Sequence, residues 1–211
     1  MRTGELIRAM AADTAPRRPV GPVLAATMAG LALVVGAVAL AVLGPNPDLG
    51  AMMTGPLMLL RQAFPLLLAL GAALLALRLA SPGAGSGPTR LMLVAAATLA
   101  AGIVLRELAL VPAADWGRAA MGGTADACLL SVSLIALPLL GGALWALARG
   151  APSRLRATGA LAGLLAGSIA AAIYALHCTE TSPLFYATWY GLAMLAVTLL
   201  GAALGPRVLR W

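Results

Sequence analysis

Four residues carry side chains that could react with a thiol reagent or bind a metal ion. The chain has two cysteines, Cys128 and Cys178, and its only histidine, His177, directly precedes the second of them. Glu180 follows Cys178 by two residues. Two cysteines can form one disulfide bridge in an oxidising compartment. Thiolate, imidazole and carboxylate groups are also ligands for zinc and similar cations.

The spacing leaves the chemistry of this group open. A metal site would be built from Cys128, Cys178 and His177, but the chain has no paired CxxC or HxxxH motif. Each residue also has a structural interpretation. A cysteine often packs as a small buried apolar side chain, and His177 would cap carbonyl groups at a helix end.

The elements that must position these residues are predicted to be membrane-spanning helices. Of the 211 residues, 62% are hydrophobic and 10% are charged, whereas an ordinary soluble domain has about 25% charged residues. The composition argues against a soluble enzyme, a nucleic-acid binder or a disordered chain. Apolar segments of the length that crosses a bilayer core occur six times, separated by breaks rich in Gly and Pro: residues 23–43, 57–79, 91–111, 125–148, 157–177 and 184–204.

The charges predict how these segments are oriented. The net charge is +7, and all 14 basic residues are Arg. If the N-terminus is cytoplasmic, eleven of these arginines lie on the cytoplasmic side, which follows the positive-inside rule. The acidic loop residues Asp48, Asp115, Asp126 and Glu180 then lie outside. We therefore predict an all-α integral membrane protein, a six-transmembrane-helix bundle with both termini cytoplasmic and both thiols at the outer face, and no direct nucleic-acid partner.

Two domains follow from this reading: a cytoplasmic N-terminal segment, residues 1–20, and a transmembrane domain, residues 21–211. In the first, a short helix over residues 4–12 would carry an apolar stripe of Leu6, Ile7 and Met10, with Glu5 and Arg8 beside it. Such a stripe can lie in the groove of a partner protein. The alternatives are a helix on the membrane surface and a disordered tail.

A glycine stripe on the fifth segment predicts close helix packing. Gly159, Gly163 and Gly167 recur at four-residue spacing, which lets a neighbouring backbone approach. At about 100° per residue, Cys178 lies on the same side of this helix. If this side meets the Cys128 face of the fourth segment, the two cysteines become neighbours.

Charged and aromatic residues in the apolar segments have two interpretations. In a transporter, Arg61, Arg106 and Glu107 would mark a substrate or proton path. Alternatively they extend to the outer interface, where Arg106 and Glu107 would pair with Arg61 or Asp126. No carboxylate lies near the middle of a segment, which favours the second interpretation. Trp116, Tyr186, Trp189 and Tyr190 are typical of an aromatic belt at the outer membrane surface.

Several segments resemble one known family, the negative regulators of sigma factor F, which are membrane anti-sigma factors. The most specific is YALHCTETSPLFYATWY at residues 174–190. The others are RTGELI at 2–7, GPNPDL at 44–49, RLASPG at 78–83, CLL at 128–130 and GAP at 150–152.

The resemblance implies a multi-pass protein of the bacterial inner membrane. It would hold an extracytoplasmic-function sigma factor inactive and release it under a stress outside the cell, such as a heavy metal or an oxidant. The family's paired cysteines, which are implicated in sensing, correspond to Cys128 and Cys178. The resemblance implies no enzymatic step and no cofactor.

Two other functions remain as alternatives at this point. A membrane thiol–disulfide redox protein would need a second cysteine pair or a quinone site to pass electrons on. A small transporter would need polar residues near the middle of the membrane.

Overall fold

The computed structural model describes residues 3–12, 19–52, 56–80 and 87–210, and within these ranges the chain is helical without β-strands. This agrees with the predicted all-α class. The helices are α1 Thr3–Ala12, α2 Val20–Leu43, α3 Leu49–Met52, α4 Pro56–Leu79, α5 Gly87–Leu110, α6 Trp116–Met121, α7 Ala125–Leu147, α8 Leu155–Tyr174, α9 Pro183–Phe185 and α10 Gly191–Val208. A 3-10 turn, Ala113–Asp115, precedes α6, and a π-helical turn, Tyr186–Tyr190, joins α9 to α10.

Five helical segments of the described chain are long and apolar enough to cross a membrane: Val20–Leu43, Arg61–Leu79, Ala125–Leu147, Leu155–Tyr174 and Pro183–Val208. A sixth span results if Val94–Leu110 and Ala113–Met121 form one broken membrane span. The chain is bent by 114° between these two helical segments. The break lies at Pro112, because proline cannot continue a helix. The expected third segment is therefore followed by a sharp bend.

Helix α8 lies at the centre of the bundle, between α10, α7 and α4. Its buried face consists largely of small residues, so the neighbouring helices approach closely. A Cβ atom on Gly159 would overlap the carbonyl oxygen of Gly201, and one on Gly163 would overlap that of Val197. At Gly167 the nearest atom would be the Met194 Cα, 3.1 Å away.

The glycine stripe thus faces α10 and not the Cys128 face of α7, a contact that the sequence offered only as a condition for bringing the cysteines together. On α7, Gly142 lies instead against Leu31 and Thr27 of α2. The pairing follows from shape, because α10 has its own glycines, Gly201 and Gly205, opposite those of α8. Close approach needs small residues on both helices.

The two cysteines lie at one end of the bundle, which we call the cysteine end. It comprises the turn after α2 (residues 44–49), Arg61 of α4, the start of α7 (residues 122–128) and the segment after α8 (residues 175–182). Hydrogen bonds between these four parts, described below, hold them together.

Candidate functional site

Both thiols are buried in the same apolar cluster at the cysteine end. Cys128 is fully buried and Cys178 is 3% exposed, and neither forms a disulfide. Cys178, Arg61 and Glu180 are electrostatic neighbours of the Cys128 thiol. The structure therefore brings two free thiols into one environment that bulk solvent does not reach.

Each cysteine is positioned by a helix end. Cys128 lies in the first turn of α7, where its amide donates to the Thr124 carbonyl at 2.9 Å. Cys178 lies just beyond α8, and its amide donates to the Tyr174 carbonyl at 3.0 Å. The backbone at both thiols is thus continuous with a long helix.

The carbonyl oxygen of Cys178 accepts hydrogen bonds from two other parts of the bundle. The Asn46 side-chain amide donates to it at 2.9 Å, and Arg61 Nη2 donates at 3.0 Å. Asn46 is 4% exposed, and its own backbone amide donates to the Leu176 carbonyl at 2.9 Å. The segment that carries Cys178 is therefore fastened to α4 and to the turn after α2.

Arg61 contacts several residues of the cysteine end at once. Besides Cys178, its guanidinium reaches the backbone carbonyl of Glu180 at 3.3 Å and the Tyr190 hydroxyl at 3.5 Å. It also stacks over the Tyr186 ring, with 4.3 Å from Cζ to the ring centroid. A partly buried cation is stabilised by such partners. Arg61 thus contacts carbonyl oxygens and tyrosines, where the sequence suggested pairing with charged residues of other segments.

Glu180 connects the Cys178 segment to the start of α7. Its Oε1 atom accepts a hydrogen bond from the Gly123 amide at 2.8 Å and one from the Thr124 hydroxyl at 3.3 Å. Gly122 beside them has φ of +54°, and a Cβ there would lie 2.9 Å from the same carboxylate oxygen. A residue with a side chain is disfavoured at this turn for both reasons.

His177 turns towards the end of α2. Its Nδ1 atom lies 2.8 Å from the Gly44 carbonyl oxygen, and because a carbonyl can only accept, Nδ1 is the donor. Within the described ranges, no three His, Cys, Asp or Glu side chains are grouped as a metal site would require. The arrangement therefore gives no support to the metal interpretation built on Cys128, Cys178 and His177, and His177 has the position of a helix-capping residue.

Sequence reasoning missed the parts played by Asn46, Tyr186 and Tyr190. Tyr190 is 5% exposed and packs edge-on against Tyr174 and Tyr186, so it lies inside the site and not on the surface where an aromatic belt was expected. Asn46 is the only asparagine of the chain, and its place between two prolines marked it as a turn residue. A lone asparagine inside a largely apolar sequence was the available signal.

The proposed partner-binding residues lie on α1. Ile7 is 62% exposed, and Glu5 and Arg8 are exposed as well. The side chains of Leu6 and Met10 lie outside the described residues. An exposed isoleucine on a short helix is available for contact with another surface.

Comparison with known proteins gives consistent matches. The family described as negative regulator of sigma F matches residues 9–211. The chain is 35% identical to the anti-sigma-F factor NrsF of Caulobacter vibrioides over 218 aligned residues, covering all of both proteins. It is 34% identical to the probable anti-sigma-F factor NrsF of Azospira oryzae over 176 residues, which cover 82% of this chain and 81% of the relative. No solved structure matches the chain.

Proposed function

The chain belongs to the negative regulator of sigma F family, and we propose that it is a membrane anti-sigma factor. It sequesters an extracytoplasmic-function sigma factor at the bacterial inner membrane. It releases this sigma factor when an oxidant or a heavy metal outside the cell reaches Cys128 and Cys178. The partners are the sigma factor and the lipid bilayer, and no enzymatic step is involved.

The proposed orientation rests on the charges. With both termini in the cytoplasm, the cysteine end faces the periplasm, together with the acidic residues Asp48, Asp126 and Glu180. The arginine-rich segments then face the cytoplasm, as the positive-inside rule requires. The signal and the sigma factor are consequently on opposite sides of the membrane, and the bundle must connect them.

The observation that carries the proposal is that hydrogen bonds connect the Cys178 segment to the ends of three other helices. The Cys178 carbonyl is held by Asn46 after α2 and by Arg61 on α4. Glu180, in the same segment, holds the residues that precede Cys128 on α7. A chemical change at the thiols must therefore be accommodated by α2, α4, α7 and α8 together.

The chemistry at the thiols takes one of two forms. Hydrogen peroxide oxidises the pair: an S–S bond forms, the O–O bond breaks, and the two electrons and two protons of the thiols leave in two molecules of water. A thiophilic divalent cation instead displaces both thiol protons and binds the two thiolates. Because the thiols are buried, either reagent must be small or must enter during a transient opening.

Release of the sigma factor requires a helix bundle that has two conformations. The reagent shifts the balance by the difference in its free energy of interaction with the two, which is typically about 1–3 kcal/mol in allosteric proteins. We propose that α1 supplies the sigma-binding surface through Leu6, Ile7 and Met10, flanked by Glu5 and Arg8. The cytoplasmic loop that contains Arg149, Arg154 and Arg156 is the alternative surface.

Co-purification tests the proposal. The full chain, extracted in a neutral detergent, is mixed with each tagged extracytoplasmic-function sigma factor of the source bacterium. We expect one of them to be retained, and we expect a variant that lacks residues 2–15 to lose it. If no sigma factor is retained, the anti-sigma function is contradicted. If the shortened variant still binds, the contact lies on the arginine-containing loop.

A further inference from the structure

A cavity of about 350 Å³ lies beside the sensor site, between α4, α5, α8 and the start of the last span. Its walls are mainly apolar and include residues from each of these elements. Among the lining residues are Arg61, Phe64, Ala100, Val104, Tyr186 and Met194. A volume of this size lies within the range of small-molecule sites in proteins, which is about 300–1,000 Å³.

Two polar atoms of the lining residues are buried without a hydrogen-bond partner in the described part of the chain. They are Nε of Arg61 and the hydroxyl of Tyr186. The two side chains are stacked, with the guanidinium 4.3 Å from the ring centroid. A buried donor without an acceptor costs about 1–3 kcal/mol, so an acceptor that reached either atom would be stabilising.

The charge of Arg61 points to the same conclusion. Its hydrogen-bond acceptors are two backbone carbonyls and a tyrosine hydroxyl, all of them neutral. Within the described ranges Arg61 does not take part in an ion pair. A cation within an apolar segment is expensive unless an anion accompanies it. Arg61 has no carboxylate of the described chain in direct contact, and the nearby Glu180 carboxylate is bonded to Gly123 and Thr124 instead.

We propose that this cavity binds a single-chain fatty acid, with its carboxylate at Arg61 and Tyr186. A carboxylate supplies two acceptor oxygens and one negative charge, and its pairing with a guanidinium is among the strongest charge-assisted hydrogen bonds. The apolar walls receive the hydrocarbon chain. At about 30 Å³ for a water-sized group, the cavity holds a chain of about twelve such groups.

The ligand has a direct connection to the sensor. The guanidinium that binds the carboxylate also donates to the carbonyl of Cys178. Occupancy of the cavity fixes Arg61 in its place and so stabilises the segment that carries Cys178. This binding does not depend on the anti-sigma function, and it is measured on the protein alone.

The test measures the binding of dodecanoate to the full chain in a neutral detergent by native mass spectrometry. Dodecanol, which has the same chain and no carboxylate, is the matched ligand. We expect dodecanoate to bind about tenfold more tightly or better, since one charge-assisted hydrogen bond contributes about 1.5–3 kcal/mol. Equal affinities for the acid and the alcohol would overturn the proposal.

Two variants place the ligand in this cavity. Tyr186→Phe removes only a hydroxyl that has no internal partner, so the fold is kept while dodecanoate affinity falls severalfold. Ala100→Leu fills the cavity and should abolish binding. Ala95→Leu on the same helix, at an exposed position outside the cavity, is the control and should bind as the parent chain does.

The source of the anion is decided in the same experiment. Diacyl phosphatidylglycerol is added as a competitor at the mole fraction of dodecanoate. We expect it to displace little dodecanoate, because the cavity has room for one chain. If the phospholipid displaces dodecanoate as effectively as further dodecanoate does, the fatty-acid site is contradicted. An unchanged affinity in both Tyr186→Phe and Ala100→Leu contradicts it as well.

Discussion

The guanidinium of Arg61 donates a hydrogen bond of 3.0 Å to the backbone carbonyl of Cys178, a residue 117 positions further along the chain. The same carbonyl oxygen accepts a second bond from the buried amide of Asn46. A thiol-bearing segment just beyond the end of a helix is thereby held by two donors from different parts of the bundle. The proposed sensor depends on how firmly these donors hold it.

Loss of Arg61 should open the Cys178 segment. Arg61→Met removes the hydrogen bonds to the carbonyls of Cys178 and Glu180, and a bond to a charged group is worth about 1.5–3 kcal/mol. We expect N-ethylmaleimide to modify Cys178 about tenfold faster or more in the folded protein, as followed by peptide mass spectrometry. Arg106→Met, at an exposed arginine on α5, is the control. Equal rates in the parent chain and Arg61→Met would refute the fastening role.

Asn46 should matter for stability. Asn46→Ala keeps the backbone bond to Leu176 and removes two side-chain bonds, the one donated to the Cys178 carbonyl and the one accepted from the Asp48 amide. We expect the free energy of unfolding in mixed micelles to fall by about 1–3 kcal/mol. Asp48→Ala, at an exposed residue of the same turn, should change it by less than about 0.5 kcal/mol. Similar small effects for both variants would show that the amide is dispensable.

The glycine contact between α8 and α10 gives a prediction with a clear sign. Alanine in place of a helical glycine normally stabilises by about 0.5–1 kcal/mol, and Gly141→Ala, which meets nothing within 4 Å, should follow that rule. Gly163→Ala places its methyl group on the Val197 carbonyl, and overpacking costs about 1–3 kcal/mol. Thermal unfolding should therefore shift down for Gly163→Ala alone. A shift in the same direction for both would be inconsistent with close packing.

The sigma-binding role of α1 makes a separate prediction. Ile7 is largely exposed, so Ile7→Asp should leave the bundle intact while weakening sigma-factor binding. Residues at the centre of an interface contribute about 2 kcal/mol or more, which corresponds to about thirtyfold in the dissociation constant. Biolayer interferometry on the detergent-extracted chain measures this change. Ile7→Val keeps the apolar contact and should bind normally, and unchanged binding by Ile7→Asp would exclude α1 as the surface.

The sequence predicted the helices well because bilayer thickness and apolar length are directly linked. The predicted segment 23–43 corresponds to Val20–Leu43, and segment 125–148 to Ala125–Leu147. Among the helices that end at the cysteine end, α8 departs most from its predicted segment. It ends at Tyr174 and not at His177. There His177 leaves the helix to bond the Gly44 carbonyl, a long-range contact that a local pattern does not contain.

The site was only partly predictable for the same reason. Cysteine, histidine and glutamate stand out by their chemistry, so their candidacy follows from residue type. The roles of Arg61 and Asn46 consist of hydrogen bonds to backbone carbonyls, which any residue can supply, and such partners leave no mark in the sequence. Tyrosine is a residue type that is common in aromatic belts, so the sequence places Tyr190 there. Tyr190 is buried because α8 packs against the last span.

The most direct test of the sensor is the release of bound sigma factor by a thiol reagent. The complex, immobilised through the full chain, is exposed to hydrogen peroxide or Cd²⁺, and the retained sigma factor is quantified. For the parent chain we expect the affinity to fall by about 5- to 150-fold, the range of typical allosteric coupling. The double variant Cys128→Ser, Cys178→Ser should bind the sigma factor equally well and retain it under both reagents. Release from the double variant at the parent's reagent concentrations would contradict a thiol sensor.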